Sequence, residues 1–218
     1  MCSNYTLKVK AIELQKFLPL QEPVVEDINQ RFLPYQAAPV VVRLKDSKLK
    51  LAAMNFSLVP SWSKERKVKF ATHNARIETI TEKPTWRVPF QRQHCIVPMT
   101  GFYEAVYEGP KAGNIIEFSE TGDHLMLAAG IYDQWIDPET KKSLHSFSIL
   151  TTTPTEYIQQ NGHDRSPIFL SAEAAKRWLE TEDQSERYWL DFINKEHIRP
   201  PLKIAIDRPL KAGWEKRK

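Results

Sequence analysis

Cys2 has the most unusual chemistry open to it. Loss of Met1 would leave a terminal residue with an amine and a thiol on adjacent carbons. An α-amine titrates at about 7.7–8.0, far below lysine, so much of it is nucleophilic near neutrality. Such an amine condenses with an aldehyde to an imine, and the neighbouring thiol can close on the imine carbon to give a thiazolidine ring. A single position is no motif, and position 2 also reads as a small residue that tolerates Met1 removal. Glu104 is the second candidate. In Gly101-Phe102-Tyr103-Glu104-Ala105-Val106-Tyr107 a strand period of two groups Phe102, Glu104 and Val106 on one face. If that face is interior, desolvation raises the carboxyl pKa towards the range of a general acid or base. If Tyr103, Ala105 and Tyr107 point inward instead, Glu104 is a surface residue. The period does not decide between the two.

Two further segments carry polar chemistry. Asn161-Gly162-His163-Asp164-Arg165-Ser166-Pro167 is a loop that offers an imidazole beside an acid and a guanidinium. Asn74 and Arg76 follow a stretch with Trp62 and a basic run from Lys64 to Lys69. An aromatic face next to cations suits a single-stranded nucleic-acid groove, and it equally suits a solvated loop. The other histidines, His73, His94, His124, His145 and His197, are scattered, so neither a metal nor any other cofactor is expected.

These residues need a frame. Leu7, Ala11, Leu14 and Leu18 share a helical face, so the spacing predicts a helix after a short extended start. Val40–Leu44 reads as a strand, Asp46-Ser47 as a turn, and Lys48–Phe56 as its hairpin partner. Further strands are expected at His94–Pro98, Gly101–Tyr107, Asn114–Phe118, His124–Ile131, Ser143–Thr152 and Leu202–Ile206. Helices are expected near Ala75–Thr81, Ser171–Glu180 and Ser185–Asn194, with Ser171 as an N-cap. Short strands without a βαβ rhythm predict an α+β fold, one domain over residues 1–218. Its centre is a curved, barrel-like, mostly antiparallel sheet with peripheral helices.

Composition narrows the class. At 41% hydrophobic and 11% aromatic, the 218-residue chain is globular, and its net charge of +4 permits an anionic partner without requiring one. Two cysteines exclude a disulfide framework and a four-thiolate zinc site. Cys95, in His94-Cys95-Ile96-Val97-Pro98, reads as a buried strand residue. No segment reads as a signal peptide or a membrane span, so a cytoplasmic location is expected, nucleoid-associated if the source is bacterial.

Taken in order, the motifs resemble the SOS response-associated peptidase family, whose members process abasic sites in DNA. The matching residues are Met1-Cys2, Leu58-Val59-Pro60-Ser61-Trp62, Asn74-Ala75-Arg76-Ile77-Glu78-Thr79, Gly101-Phe102-Tyr103-Glu104, and His163-Asp164-Arg165 with Pro167. The resemblance is strongest over residues 2–170. Ser3-Asn4 stand where the family continues Gly-Arg, Phe56-Ser57 where it has Trp-Gly, Ala105 where it has Trp, and Ser166 where it has Met. The resemblance implies a single α+β domain with a barrel-like core. It also implies a reversible covalent thiazolidine link between Cys2 and a ring-opened abasic sugar in single-stranded DNA. By the same resemblance Asn74 holds the amine or sugar, Glu104 relays protons and His163 assists ring opening. Arg76, Arg165 and Trp62 then position phosphates and bases. A monomer is expected, with no membrane partner and with Met1 removed by an aminopeptidase. The family is also classed as peptidases. Two rivals share the residues: an N-terminal-nucleophile amidase using Cys2, and a non-catalytic single-stranded DNA-binding module built on Trp62 and the basic run.

Overall fold

Val40-Val41-Val42 is apolar without alternation, and in the computed structural model it is a strand buried on both faces. The structure describes residues 3–17, 19–180 and 184–217. Along the chain lie β1 (Asn4–Val9), α1 (Ala11–Phe17), β2 (Ile28–Phe32), β3 (Ala37–Arg43), β4 (Leu49–Phe56), β5 (Asn74–Arg76) and α2 (Pro84–Arg92). Next come β6 (His94–Met99), β7 (Gly101–Val106), β8 (Asn114–Glu120), β9 (Met126–Ile136), β10 (Ser143–Thr152) and α3 (Glu156–Gln160). The chain closes with β11 (Ser166–Pro167), β12 (Phe169–Leu170), α4 (Ala172–Trp178), α5 (Glu186–Glu196), β13 (His197–Ile198) and β14 (Leu202–Pro209).

Five strands close a barrel. β10 pairs with β4 in parallel, and the antiparallel steps β4–β3, β3–β6, β6–β9 and β9–β10 complete the ring. A second, antiparallel sheet has the order β14-β8-β7-β1-β2. Val40, Val97, Met99 and Phe147 of the barrel share one hydrophobic cluster with Tyr5, Phe102 and Phe118 of that sheet. The barrel's other residues, Val41, Ile96 and Ile131 among them, pack with Phe90, Trp178, Trp189 and Phe192 from the helices. His94 fastens this side: its ring stacks on Trp178 at 3.7 Å, and its nitrogens lie 2.7 Å from the carbonyls of Phe90 and Trp178. The α+β class and the barrel-like sheet expected from the sequence are both present.

Two expected elements differ. Ala75–Thr81 is not a helix: Asn74–Arg76 runs parallel to β10, and only a 3₁₀ turn, Ile77–Thr79, follows. Ala75 and Ile80 are fully buried, so pairing with a core strand overrides the helical spacing. Leu7 belongs to β1 rather than to a helical face, because the sheet claims Asn4–Val9 before the chain turns into α1. Leu18, the last residue of that expected face, lies outside the described residues. Helix α2 was not expected; it starts on Pro84, whose fixed φ suits a first helical turn. Ser171 and Ser185 cap α4 and α5, each accepting a backbone N–H. Cys95 is buried in β6, and burial pushes its thiol pKa up. Among the described residues, no helix is long and apolar enough to cross a membrane.

Candidate functional site

Glu104 points into the protein. Phe102 and Val106, its neighbours on the same face, are fully buried, and Glu104 itself is 2% exposed. Phe102 stacks on Phe118, so the wall beside the carboxylate is aromatic. Its Oε2 lies 2.8 Å from Nε2 of His163, which the loop after α3 brings over the end of β7. The loop holds the ring from its other side, because the Arg165 N–H reaches His163 Nδ1 at 3.2 Å and the Arg165 carbonyl lies 3.1 Å away. With the N–H donated to Nδ1, the imidazole proton sits on Nε2 and faces Glu104. With the imidazole charged, Nδ1–H donates to the carbonyl instead. Both protonation states therefore have a backbone partner, and a proton can pass between Nε2 and Oε2 without the ring turning.

β1 brings the N-terminal side of the chain to this pair. Its ladder with β7 starts at Asn4 opposite Tyr103, one residue from Glu104. Asn4 is buried and accepts a 2.7 Å hydrogen bond from Arg31 Nε. The Arg31 guanidinium lies 3.5 Å over the Tyr103 ring and pairs with both Asp207 oxygens. Cys2 lies outside the described residues, two positions ahead of Asn4 in the sequence.

Asn74 is buried at the start of β5, opposite Ile149 of β10. The residue before it, His73, has its backbone carbonyl held by the Ile149 N–H at 3.0 Å. Burial holds the His73 imidazole below its usual pKa, while the Glu104 charge pulls it up, so this segment lies within electrostatic reach of Glu104. Arg165 is committed inside the protein. It forms a two-pronged ion pair with Glu78 at 2.9 and 2.8 Å and donates to the Thr151 carbonyl at 2.7 Å. Partial burial pushes the Glu78 carboxyl up, and the Arg165 bonds overcome this and hold it below the usual range. Glu78 was not singled out in the sequence, although its place two residues after Arg76 ties the Asn74 segment to the His163 loop.

Arg76 is exposed and lines a cleft of about 470 Å³ with Phe70, Asn74, Lys83 and Trp86. A second cleft, of about 360 Å³, is lined by Trp62, Lys64, Lys67, Lys69 and Phe70. Phe70 belongs to both, and a large exposed aromatic at that junction went unnoticed in the sequence. Trp62 is 56% exposed and Phe70 47%, so both rings present area to solvent. The loop under Trp62 is pinned, because Ser61 N–H donates to Asp133 at 2.7 Å and Trp135 Nε1 donates to the Ser63 carbonyl at 2.8 Å. Among the described residues, no group of three or more His, Cys, Asp or Glu side chains could hold a metal ion.

A closed barrel sharing its core with a second sheet, and a buried carboxylate–imidazole pair beside the incoming first strand, define an α+β barrel protein with a buried Glu–His pair at its candidate site. The chain belongs to the SOS response associated peptidase (SRAP) family, whose profile matches residues 1–201. It is 31% identical over 200 residues to the abasic site processing protein YoqW of Bacillus subtilis (strain 168), covering 86% of this chain and 84% of that one. It is 29% identical over 177 residues to the abasic site processing protein HMCES of Xenopus tropicalis, covering 67% and 52%. Crystal structures of proteins from Bordetella bronchiseptica and Bacteroides thetaiotaomicron share the fold. The first has a TM-score of 0.75 at 20% identity over 95% of this chain and 100% of that one. The second has a TM-score of 0.72 at 24% identity over 100% and 95%.

Proposed function

We propose that this chain captures abasic sites in single-stranded DNA by a reversible thiazolidine cross-link through Cys2 after Met1 is removed. The observation that carries this reading is the buried Glu104–His163 pair at 2.8 Å, placed where β1 brings in the N-terminal side of the chain. In the proposed reaction the closed abasic sugar takes a proton on its ring oxygen, gives up the proton of its C1 hydroxyl, and opens to an aldehyde as the bond between C1 and the ring oxygen breaks. The Cys2 amine adds to the aldehyde carbon, water departs, and an imine results. The thiol then adds to the imine carbon while its proton passes to nitrogen, closing the ring. Each step moves a proton over a short distance, which is the work a Glu–His pair can do. Asn74 would hold the amine or the sugar. Trp62 and Phe70 would stack bases, while Arg76 and the lysines beside them meet phosphates. Arg165 would hold Glu78, and with it the segment bearing Asn74 and Arg76, and would reach a phosphate by exchanging that partner. The chain would act as a monomer in the cytoplasm, on nucleoid DNA in a bacterium.

The test is incubation with a single-stranded oligonucleotide carrying one abasic site, followed by a denaturing gel. Wild type should give a denaturant-resistant adduct and Cys2→Ala none. An adduct that persists in Cys2→Ala would move the nucleophile elsewhere. Hydrolysis of an amide substrate with no adduct to DNA would favour the amidase reading.

A further inference from the structure

His163 also borders a cavity of about 640 Å³, within the usual range for small-molecule sites. Its walls include Ala105 of β7, Tyr107 and Glu108 just after that strand, and Gln159, His163 and Asp164 from α3 and its loop. The two walls are fixed against each other at Gly162. That residue has φ +84°, and a Cβ there would lie 2.5 Å from Val106 Cγ1 and 2.9 Å from the Glu108 carbonyl. Only glycine lets the loop approach the strand so closely. The cavity is therefore built by packing of the backbone.

Its chemistry differs from that of the Trp62–Phe70 clefts. Among the described residues neither lysine nor arginine lines it, whereas Glu108 and Asp164 supply two carboxylates and Gln159 an amide. Carboxylates accept hydrogen bonds and repel phosphate. A flat ring can lie along Tyr107, whose other neighbour is Trp214 at 6.4 Å between centroids. A neutral aromatic ring with outward N–H donors fits such a lining.

We propose that this cavity holds the base of the nucleotide next to the abasic site, and that it selects bases with an exocyclic amino group. The proposal rests on the abasic-site reading above and names a substrate preference within it. Cytosine, adenine and guanine offer an amino group to a carboxylate or a glutamine amide, and thymine does not. The neighbouring base is the one that fits, because His163 is common to the cavity wall and to the Glu104 pair. The strand would thus run from the cationic clefts, across the pair, to a cavity that accepts a base and excludes a phosphate.

The experiment uses the full chain and abasic oligonucleotides of thymidine in which one neighbour of the lesion, first on one side and then on the other, is changed to deoxycytidine, deoxyadenosine or deoxyguanosine. On one side, the amino-bearing bases should lower the half-saturating oligonucleotide concentration by about threefold or more, the lower part of what one net hydrogen bond contributes. Ala105→Trp, which fills the cavity, should lose the preference, so that all four neighbours are captured at one half-saturating concentration. Glu108→Leu with Asp164→Ala, two exposed positions, should lose it without filling the space. Equal capture of all four neighbours on both sides would overturn the proposal, as would a preference that survives in these variants. Absence of an adduct with every strand would instead bring down the abasic-site reading itself, and this proposal with it.

Discussion

Glu104 is 2% exposed, and the group it touches, at 2.8 Å, is an imidazole that can give or take a proton. A proton can pass either way across the 2.8 Å contact, which suits the proposed cross-link and its reversal. Glu104→Gln keeps the shape and can still hydrogen-bond to His163, yet it cannot transfer a proton. The expected result is adduct formation and adduct reversal both slowed about a hundredfold, with affinity for single-stranded DNA nearly unchanged. A time course of cross-linking, then transfer of the protein to a longer oligonucleotide, measures both directions. Wild-type rates in both would make Glu104 a structural strand residue. The chemistry-bearing residue types were legible in the sequence, but the face of Glu104 was not. Tyr103 is 4% exposed and Phe102 0%, so β7 is buried on both sides and a period of two carries no contrast. The commitment of Arg165 to Glu78 was also hidden, since 87 residues separate the partners and no local pattern links them.

Among the elements, the join between β4 and the Trp62 loop carries strain. Ser57 has φ 111°, a region that favours glycine, and it is 1% exposed. Its backbone is held there, because its N–H donates to the Phe147 carbonyl at 3.1 Å and its carbonyl accepts from Asn55 Nδ2 at 3.2 Å. The buried hydroxyl has no hydrogen-bond partner among the described residues. Ser57→Gly removes both the Cβ strain and the buried hydroxyl, at the cost of more backbone freedom in the unfolded chain. A net stabilisation of about 1 kcal/mol is expected, seen as a rise in Tm of about 2–4 °C. A fall in Tm would mean that the hydroxyl contributes a bond worth more than the strain. The strands of this fold were the most legible elements: His94–Met99, Gly101–Val106 and Ser143–Thr152 lie within a residue of their expected limits. Each carries β-branched or aromatic residues that favour a strand: Ile96 and Val97 in the first, Phe102, Tyr103 and Val106 in the second, Phe147 and Ile149 in the third. Asn74–Arg76 was misread because three residues are too few to show a strand period, and the pairing with β10 that decides their conformation is not local. Helix α2 was missed because prolines at 84 and 89 look like breaks, although one of them begins the helix.

For the molecule as a whole, a net charge of +4 matters less than where the cations lie. Arg76 and Lys83 line one cleft, and Lys64, Lys67 and Lys69 line the next, with Phe70 between them and Trp62 beyond. This side can hold a strand by its phosphates and its bases together, provided the bases are free to leave their stack. In a duplex they are not, and unstacking costs a few kcal/mol. Capture should therefore favour a single-stranded abasic oligonucleotide over the same lesion in a fully paired duplex. Salt should weaken it by a bounded amount. Each phosphate contact contributes about −0.7 to the slope of log K against log salt for a single strand, so the five cations of these clefts contribute at most about −3.5. Replacing Lys67 and Lys69 by glutamine should bring the slope closer to zero by up to about 1.4 if both meet phosphates. Trp62→Ala should instead weaken binding at every salt concentration and leave the slope alone, because stacking releases no counterions. Binding of a chemically stable abasic analogue, titrated at several salt concentrations, separates the two contributions. Equal capture of paired and unpaired lesions, or a slope unmoved by loss of both lysines, would place the DNA on another face of the protein.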